Sequence, residues 1–311
     1  MYQYAYLLSV LLAAPTPAAA PIAPTVEPSE TVAHPDLTYA TFGDEKMKLD
    51  LVLPKGPGPH PCVVCFHGGA WRAGNRKDLT RPTLFAPGGK EKGREFSLLD
   101  MLARKGYAAA SVSYRLAPEA KFPAQIIDAK TAVRFLRANA AKYDLDTERF
   151  AALGFSSGGH LAALLGVTDS KAGFDGNLYP DVSSEVQVVI DYFGPTQLSL
   201  FSETPGVNDA FMVPLLGKEC RTDPKLYANA SPIEYVTKAA PPTLIIHGTA
   251  DFIVPIIHSE RFYDKLKDAG VKVEMLKMRG KGHGWTGDAT EESARALVKF
   301  LGENLTKPVK K

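Results

Sequence analysis

Gly154-Phe155-Ser156-Ser157-Gly158 lies between two runs of opposite habit. Arg149-Phe150-Ala151-Ala152-Leu153 before it is short and apolar, as in a buried strand. Gly159-His160-Leu161-Ala162-Ala163-Leu164-Leu165 after it reads as a helix almost without charge. Strand, very sharp turn, helix is the implied order. A serine at such a turn is held in a strained backbone conformation with its hydroxyl in the open. Glycines two residues before and two after remove the Cβ atoms that would clash in the turn. Ser156 is the candidate nucleophile.

A serine hydroxyl is a weak nucleophile until a base takes its proton, and the base needs a carboxylate to orient it. Downstream, Thr243-Leu244-Ile245-Ile246-His247 reads as a strand, and Gly248-Thr249-Ala250-Asp251 places Asp251 just past its end. The next strand, Val271–Met278, leads into Arg279-Gly280-Lys281-Gly282-His283, which places His283 in a glycine-flanked loop. Asp191, also near a strand end, is the rival acid. Upstream, His67-Gly68-Gly69-Ala70-Trp71 follows the strand ending at Phe66. A tetrahedral intermediate carries an oxyanion that needs preorganised N–H donors. The natural donors are the amides of Gly69 and Ala70, joined by that of Ser157.

Outward from these motifs, Leu37–Phe42 and Met47–Leu53 read as a hairpin turning at Gly43-Asp44-Glu45. Strands over 62–66, 107–113, 150–154, 186–192, 243–247 and 271–278, the first of them a continuous apolar run, alternate with helices over 95–105, 123–142, 157–166, 256–269 and 290–305. Eight strands in this order imply an α/β fold: a mostly parallel sheet with helices on both faces, occupying 37–305. Two connections, about 72–94 and 194–240, exceed ordinary lengths and are expected to build or cover the site.

The motif set resembles the α/β-hydrolase carboxylesterases, near the branch related to hormone-sensitive lipase and to bacterial acetyl and feruloyl esterases. HGGAW (67–71), YRLAPE (114–119), FPAQ (122–125), GFSSGGH (154–160), YFGPTQL (192–198), HGTADFIVP (247–255) and GKGHGW (280–285) carry the likeness. It spans roughly 45–304. It implies a serine esterase acting on short acyl esters through an acyl-enzyme, with a triad of Ser156, Asp251 and His283. Ala70 stands where the branch often has a third glycine, and Phe155-Ser156-Ser157 where Asp-Ser-Ala is common. Both differences place the chain nearer the acetyl and feruloyl esterases. The segment 82–94 reads as an extra insertion. A prolyl-oligopeptidase-like peptidase shares such a catalytic domain, but a large β-propeller precedes it there, and a catalytically silent hydrolase-fold protein would tend to lack a triad member.

Composition narrows the setting. With 311 residues, 45% hydrophobic and 23% charged, the chain is globular in type, and its net charge of +2 includes no basic cluster with interleaved aromatics that would suit nucleic acid. Residues 1–20 pair an apolar run, Leu7–Ala14, with a small-residue site at Ala18-Ala19-Ala20. This is the pattern of an export signal and is too short to span a bilayer, so a secreted or periplasmic protein is expected, with no stable membrane span in the mature chain. Residues 21–36 read as a proline-rich linker, and 306–311 as a basic tail. Cys62 and Cys65, three apart in a strand, should face opposite sides of the sheet. No His, Asp and Glu set has metal-ligand spacing and no glycine loop suits a nucleotide, so no metal or other cofactor is expected. Four groups read as structural: His67 bonding its own loop, His160 packed on the helix, His247 ending a strand and His258 opening a helix. Trp71 reads as packing or an acyl-pocket wall. Glu119 and Asp128 read as partners for Arg115 or the backbone.

Overall fold

A computed structural model of the chain describes residues 31–81, 89–91, 94–203 and 206–306. The expected export signal, the first part of the linker, most of the 82–94 insertion (82–88 and 92–93) and nearly all of the basic tail lie outside the described residues. Strands β1 (Thr31–Phe42), β2 (Glu45–Pro54), β3 (His60–Phe66), β4 (Gly89–Glu91), β5 (Arg94–Phe96), β6 (Ala108–Val112), β7 (Leu145–Phe155), β8 (Val188–Tyr192), β9 (Thr243–Gly248) and β10 (Val273–Met278) follow one another along the chain. Eight of them form one sheet in the order β1-β2-β6-β3-β7-β8-β9-β10, while β4 and β5 pair separately. From β6 to β10 the neighbours are parallel, and the β1-β2 hairpin joins antiparallel at one edge.

The apolar strands are buried on both faces because helices cover both. Cys62 and Val64 point into a core with Ile126, Ala129 and Val133 of the helix Ala124–Ala138 and Leu161 and Leu164 of the helix Ser157–Val167. Val63 and Cys65 point the other way, against Leu99 and Leu102 of the helix Leu98–Arg104 and Leu297 and Leu301 of the helix Asp288–Asn304. The two cysteines thus serve opposite cores and are free thiols. No helix among the described residues is long and apolar enough to cross a membrane.

Three expectations change. Among the described residues the sheet begins at Thr31, so 31–36 are strand and not linker. Pro35 is tolerated because β1 is an edge strand and the ladder breaks between His34 and Leu37, where a missing N–H leaves no gap. Asp36, with φ 59°, turns there and gives its N–H to Asp50. The segment before the helix Leu98–Arg104 contains the small β4-β5 hairpin. The long 194–240 connection is a chain of short helical turns. Its Leu198, Phe201, Met212, Leu215 and Tyr227 pack with Trp71 and Val254 beside the HGGAW loop.

Candidate active site

Every sequence-predicted site residue leaves the sheet at the carboxyl end of a parallel strand, where an open α/β sheet presents its crevice. Ser156 follows β7 directly, with φ 54° and ψ −119°. Its N–H is fixed to the Tyr192 carbonyl at 2.9 Å, and its own carbonyl starts the next helix by accepting from His160 N at 3.0 Å. The flanking glycines are required by contact. A Cβ on Gly154 would overlap the Gly158 carbonyl, and one on Gly158 would overlap the carbonyls of Phe66 and His67. The helix after the elbow is thereby pressed against the end of β3, from which the HGGAW loop departs.

The structure brings the three predicted side chains together. His283 Nε2 lies 2.9 Å from Ser156 Oγ, and His283 Nδ1 lies 2.7 Å from Asp251 Oδ2. The carboxylate accepts from Nδ1–H, which leaves Nε2 as a lone pair facing the serine hydroxyl. Asp251 Oδ1 accepts from the N–H groups of Ile253 and Val254 at 2.9 and 3.0 Å. Burial alone would raise the Asp251 carboxyl. Bonds from His247 and His283 and the Val254 N–H outweigh it and hold the carboxyl well below the usual carboxylate range. Asp191 does not reach the histidine: it is fully buried, its Oδ1 accepts from Gly194 N at 2.8 Å, and burial pushes it up to about 6.

The loop holding Gly69 and Ala70 is built from unusual backbone. Gly69, Ala70 and Trp71 have φ values of 119°, 54° and 59°, and a Cβ on Gly69 would overlap the Ala73 carbonyl. Left-handed non-glycine residues cost about 1–3 kcal/mol each and persist only where neighbours hold them. Here the Gly69 carbonyl accepts from Arg72 N and Ala73 N, and the Trp71 carbonyl accepts from Ala117 N. The Trp71 indole N–H donates to His160 Nδ1 at 3.2 Å, and His160 Nε2–H donates to the Ala230 carbonyl at 2.7 Å. Among the described residues the N–H groups of Gly69 and Ala70 have no hydrogen-bond acceptor. Ser157 N–H is one of the unpaired donors at the helix start.

His67, as expected, bonds its own loop, donating from Nδ1 to the Gly68 carbonyl at 2.7 Å while its ring stacks on Tyr114. Asp128 grips Arg115 through both oxygens, whereas Glu119 lines an open cavity of about 550 Å³ beside Arg76 and Arg115. Two partners were not assigned from sequence. Tyr114 donates to the His67 carbonyl at 2.9 Å and lies 3.3 Å from Ser157 Oγ, tying the loop to the elbow. His247 Nε2 lies 3.3 Å from Asp251 Oδ2. The only sequence signal for it is a histidine four residues before the acid. Among the described residues, no group of three or more His, Cys, Asp or Glu is placed to hold a metal ion.

Burial also sets the acid stability. It pushes His67 and His160 down to about 4 and His258 down to about 3. Between about pH 6.5 and 4 the unfolded chain binds three protons that the folded protein refuses, so stability falls as pH falls. Asp191, raised to about 6, keeps one proton that the unfolded chain releases, and offsets one histidine. Near pH 5 these groups predict an uptake of about two protons on unfolding, or a loss of about 3 kcal/mol per pH unit. Urea unfolding at pH 7, 6 and 5 checks this, and a flat profile would contradict it.

A model of the BD-FAE family matches residues 49–266, a stretch that includes Gly69, Ser156 and Asp251 and ends before His283. Esterase LipC of Mycobacterium tuberculosis is 30% identical over 251 residues, covering 79% of this chain and 59% of that protein. The chain spans about half to three-fifths of the length of the curated mycobacterial esterases that it matches. Among solved structures, a truncated carbohydrate esterase from gut microbiota superposes with a TM-score of 0.74 at 30% identity, over 91% of this chain and 99% of that one. The propionate-bound esterase Est2 of Thermogutta terrifontis superposes with a TM-score of 0.70 at 25% identity, over 88% and 96%. With the sheet order and elbow described above, these matches show that the chain belongs to the BD-FAE family, within the α/β-hydrolase carboxylesterases.

Proposed function

We propose that the chain is a serine carboxylic-ester hydrolase that removes short acyl groups, acetyl or feruloyl, from carbohydrate through an acyl-enzyme on Ser156. The observation that carries it is the continuous hydrogen-bonded line from Ser156 Oγ through His283 to Asp251, at 2.9 and 2.7 Å. The likeness to a carbohydrate esterase and to an esterase that binds propionate supports the substrate class.

In the first half-reaction Ser156 Oγ bonds to the ester carbonyl carbon while its proton passes to His283 Nε2. The carbonyl π pair moves onto oxygen, where the amides of Gly69, Ala70 and Ser157 receive it. Asp251 stays ionised and stabilises the imidazolium. The intermediate collapses, the C–O bond to the alcohol breaks, and His283 returns the proton to that oxygen. Water then attacks the acyl-enzyme by the same route, releasing the acid and restoring Ser156.

A panel of p-nitrophenyl esters with acetylated xylan and methyl ferulate tests the substrate class. The expected result is a kcat/KM at least tenfold higher for acetate than for octanoate, with release of acetate or ferulate from the natural-type esters. Preference for the long acyl chain would overturn it. Export is proposed on the pattern of residues 1–20 alone; recovery of exported protein with Met1 intact would contradict signal cleavage.

A further inference from the structure

The carboxylate of Asp251 serves two histidines. Its Oδ1 is taken by two backbone N–H groups, and its Oδ2 faces both His283 Nδ1 at 2.7 Å and His247 Nε2 at 3.3 Å. Three N–H donors thus bond the carboxylate, and the His247 Nε2–H, which also faces the Val254 carbonyl, reaches Oδ2 as a longer, shared contact. The tautomer of His247 follows from its partners. Its Nε2 also lies 2.8 Å from the Val254 carbonyl, which can only accept, so Nε2 carries the proton. Its Nδ1 lies 2.6 Å from Ser259 Oγ, and in the neutral ring that nitrogen accepts the Ser259 hydroxyl proton. Both His247 and Ser259 are fully buried. This orders the donor before any substrate arrives.

We propose that His247 is a positioning residue for the triad: its Nε2–H fixes Oδ2 of Asp251 opposite His283 and draws off part of that oxygen's acceptor strength. The proposal rests on the serine-esterase reading given above. A carboxylate shared between two donors stabilises the His283 imidazolium less than one devoted to it. Other charged or titratable groups bear on His247: Asp251 on its own loop, Asp191 from β8, and His258 from the helix Ile257–Asp268. Arg261 and His160 act on His258 in turn. Of these, Asp251 alone contacts both His247 and His283.

The test is the pH profile of kcat/KM for p-nitrophenyl acetate, per site titrated with a p-nitrophenyl alkyl phosphonate. His247→Phe removes the donor and keeps a ring. It is expected to move the acid limb up by about half a pH unit or more, with kcat lowered roughly tenfold or more as the carboxylate loosens. His247→Gln can return an N–H to Oδ2 and is expected to bring the limb back. Should His247→Phe not fold, Ser259→Ala leaves the imidazole in place without its orienting hydroxyl, and a smaller shift in the same direction is expected. Coincident limbs in every folded variant, with activity lost only in proportion to titrated sites, would overturn the proposal. Failure of the wild-type protein to take up phosphonate would instead overturn the esterase reading beneath it.

Discussion

Replacing Ser156 with alanine is expected to lower kcat for p-nitrophenyl acetate by about four to six orders of magnitude, to the level left by binding and the oxyanion amides alone. The size follows from what is removed: the proposed nucleophilic atom, with no other hydroxyl hydrogen-bonded to His283 among the described residues. The fold should survive. The backbone at φ 54° is held by the Tyr192 carbonyl and by the start of the helix, neither of which uses the Ser156 side chain. The Oγ atom bonds only His283 among the described residues. Steady-state rates beside thermal unfolding of both proteins check this. An inactive variant that also unfolds early would say nothing about the hydroxyl, so an unchanged melting temperature is part of the expected result.

The second large effect is expected at Asp251. Asp251→Asn should lower kcat by about 10⁴-fold, while Asp191→Asn should change it by less than about tenfold. The asparagine carbonyl must take the place of Oδ1, because Ile253 and Val254 present two N–H donors there. Its amide nitrogen then faces His283 and His247, donor against donor. His283 escapes by moving its proton to Nε2, where it points at Ser156 and can no longer accept. At Asp191 the amide oxygen can keep the bond from Gly194 N, and nothing there touches His283. Parallel kinetics on the two variants separate the acids. Equal loss in both, or loss only at Asp191, would move the acid to the end of β8.

The parts of this molecule that local pattern could specify are those whose physics is local. The elbow is a strained turn that announces itself by its glycines. The loop after β9 follows the apolar run Leu244-Ile245-Ile246, and the loop after β10 is marked by Gly280, Gly282 and Gly284. The Cys62 and Cys65 side chains divide between two cores because strand periodicity allows nothing else. What local pattern hid was set by distant partners. Gly158 is required because the Phe66 and His67 carbonyls lie where its Cβ would be, nearly a hundred residues away in sequence. Insertion of β6 between β2 and β3 depends on a crossover, and nothing in the residues of β6 itself reveals it. Pro35 pointed to a linker because the edge position and bulge that excuse it belong to the assembled sheet. His247 read as an ordinary strand-end residue until the turn at Asp251 folded the carboxylate back onto it. Trp71 read as packing, and it does pack, yet its indole also joins the HGGAW loop to His160 and, through it, to Ala230.

In the proposed reaction Ser156 forms a covalent bond to the acyl carbon. Brief reaction with a p-nitrophenyl alkyl phosphonate, followed by proteolysis and mass spectrometry, tests it most directly. One phosphonyl group per chain is expected, carried on the peptide containing Ser156 and absent from the Ser156→Ala protein. A label on any other residue, or full labelling of the alanine variant, would contradict it.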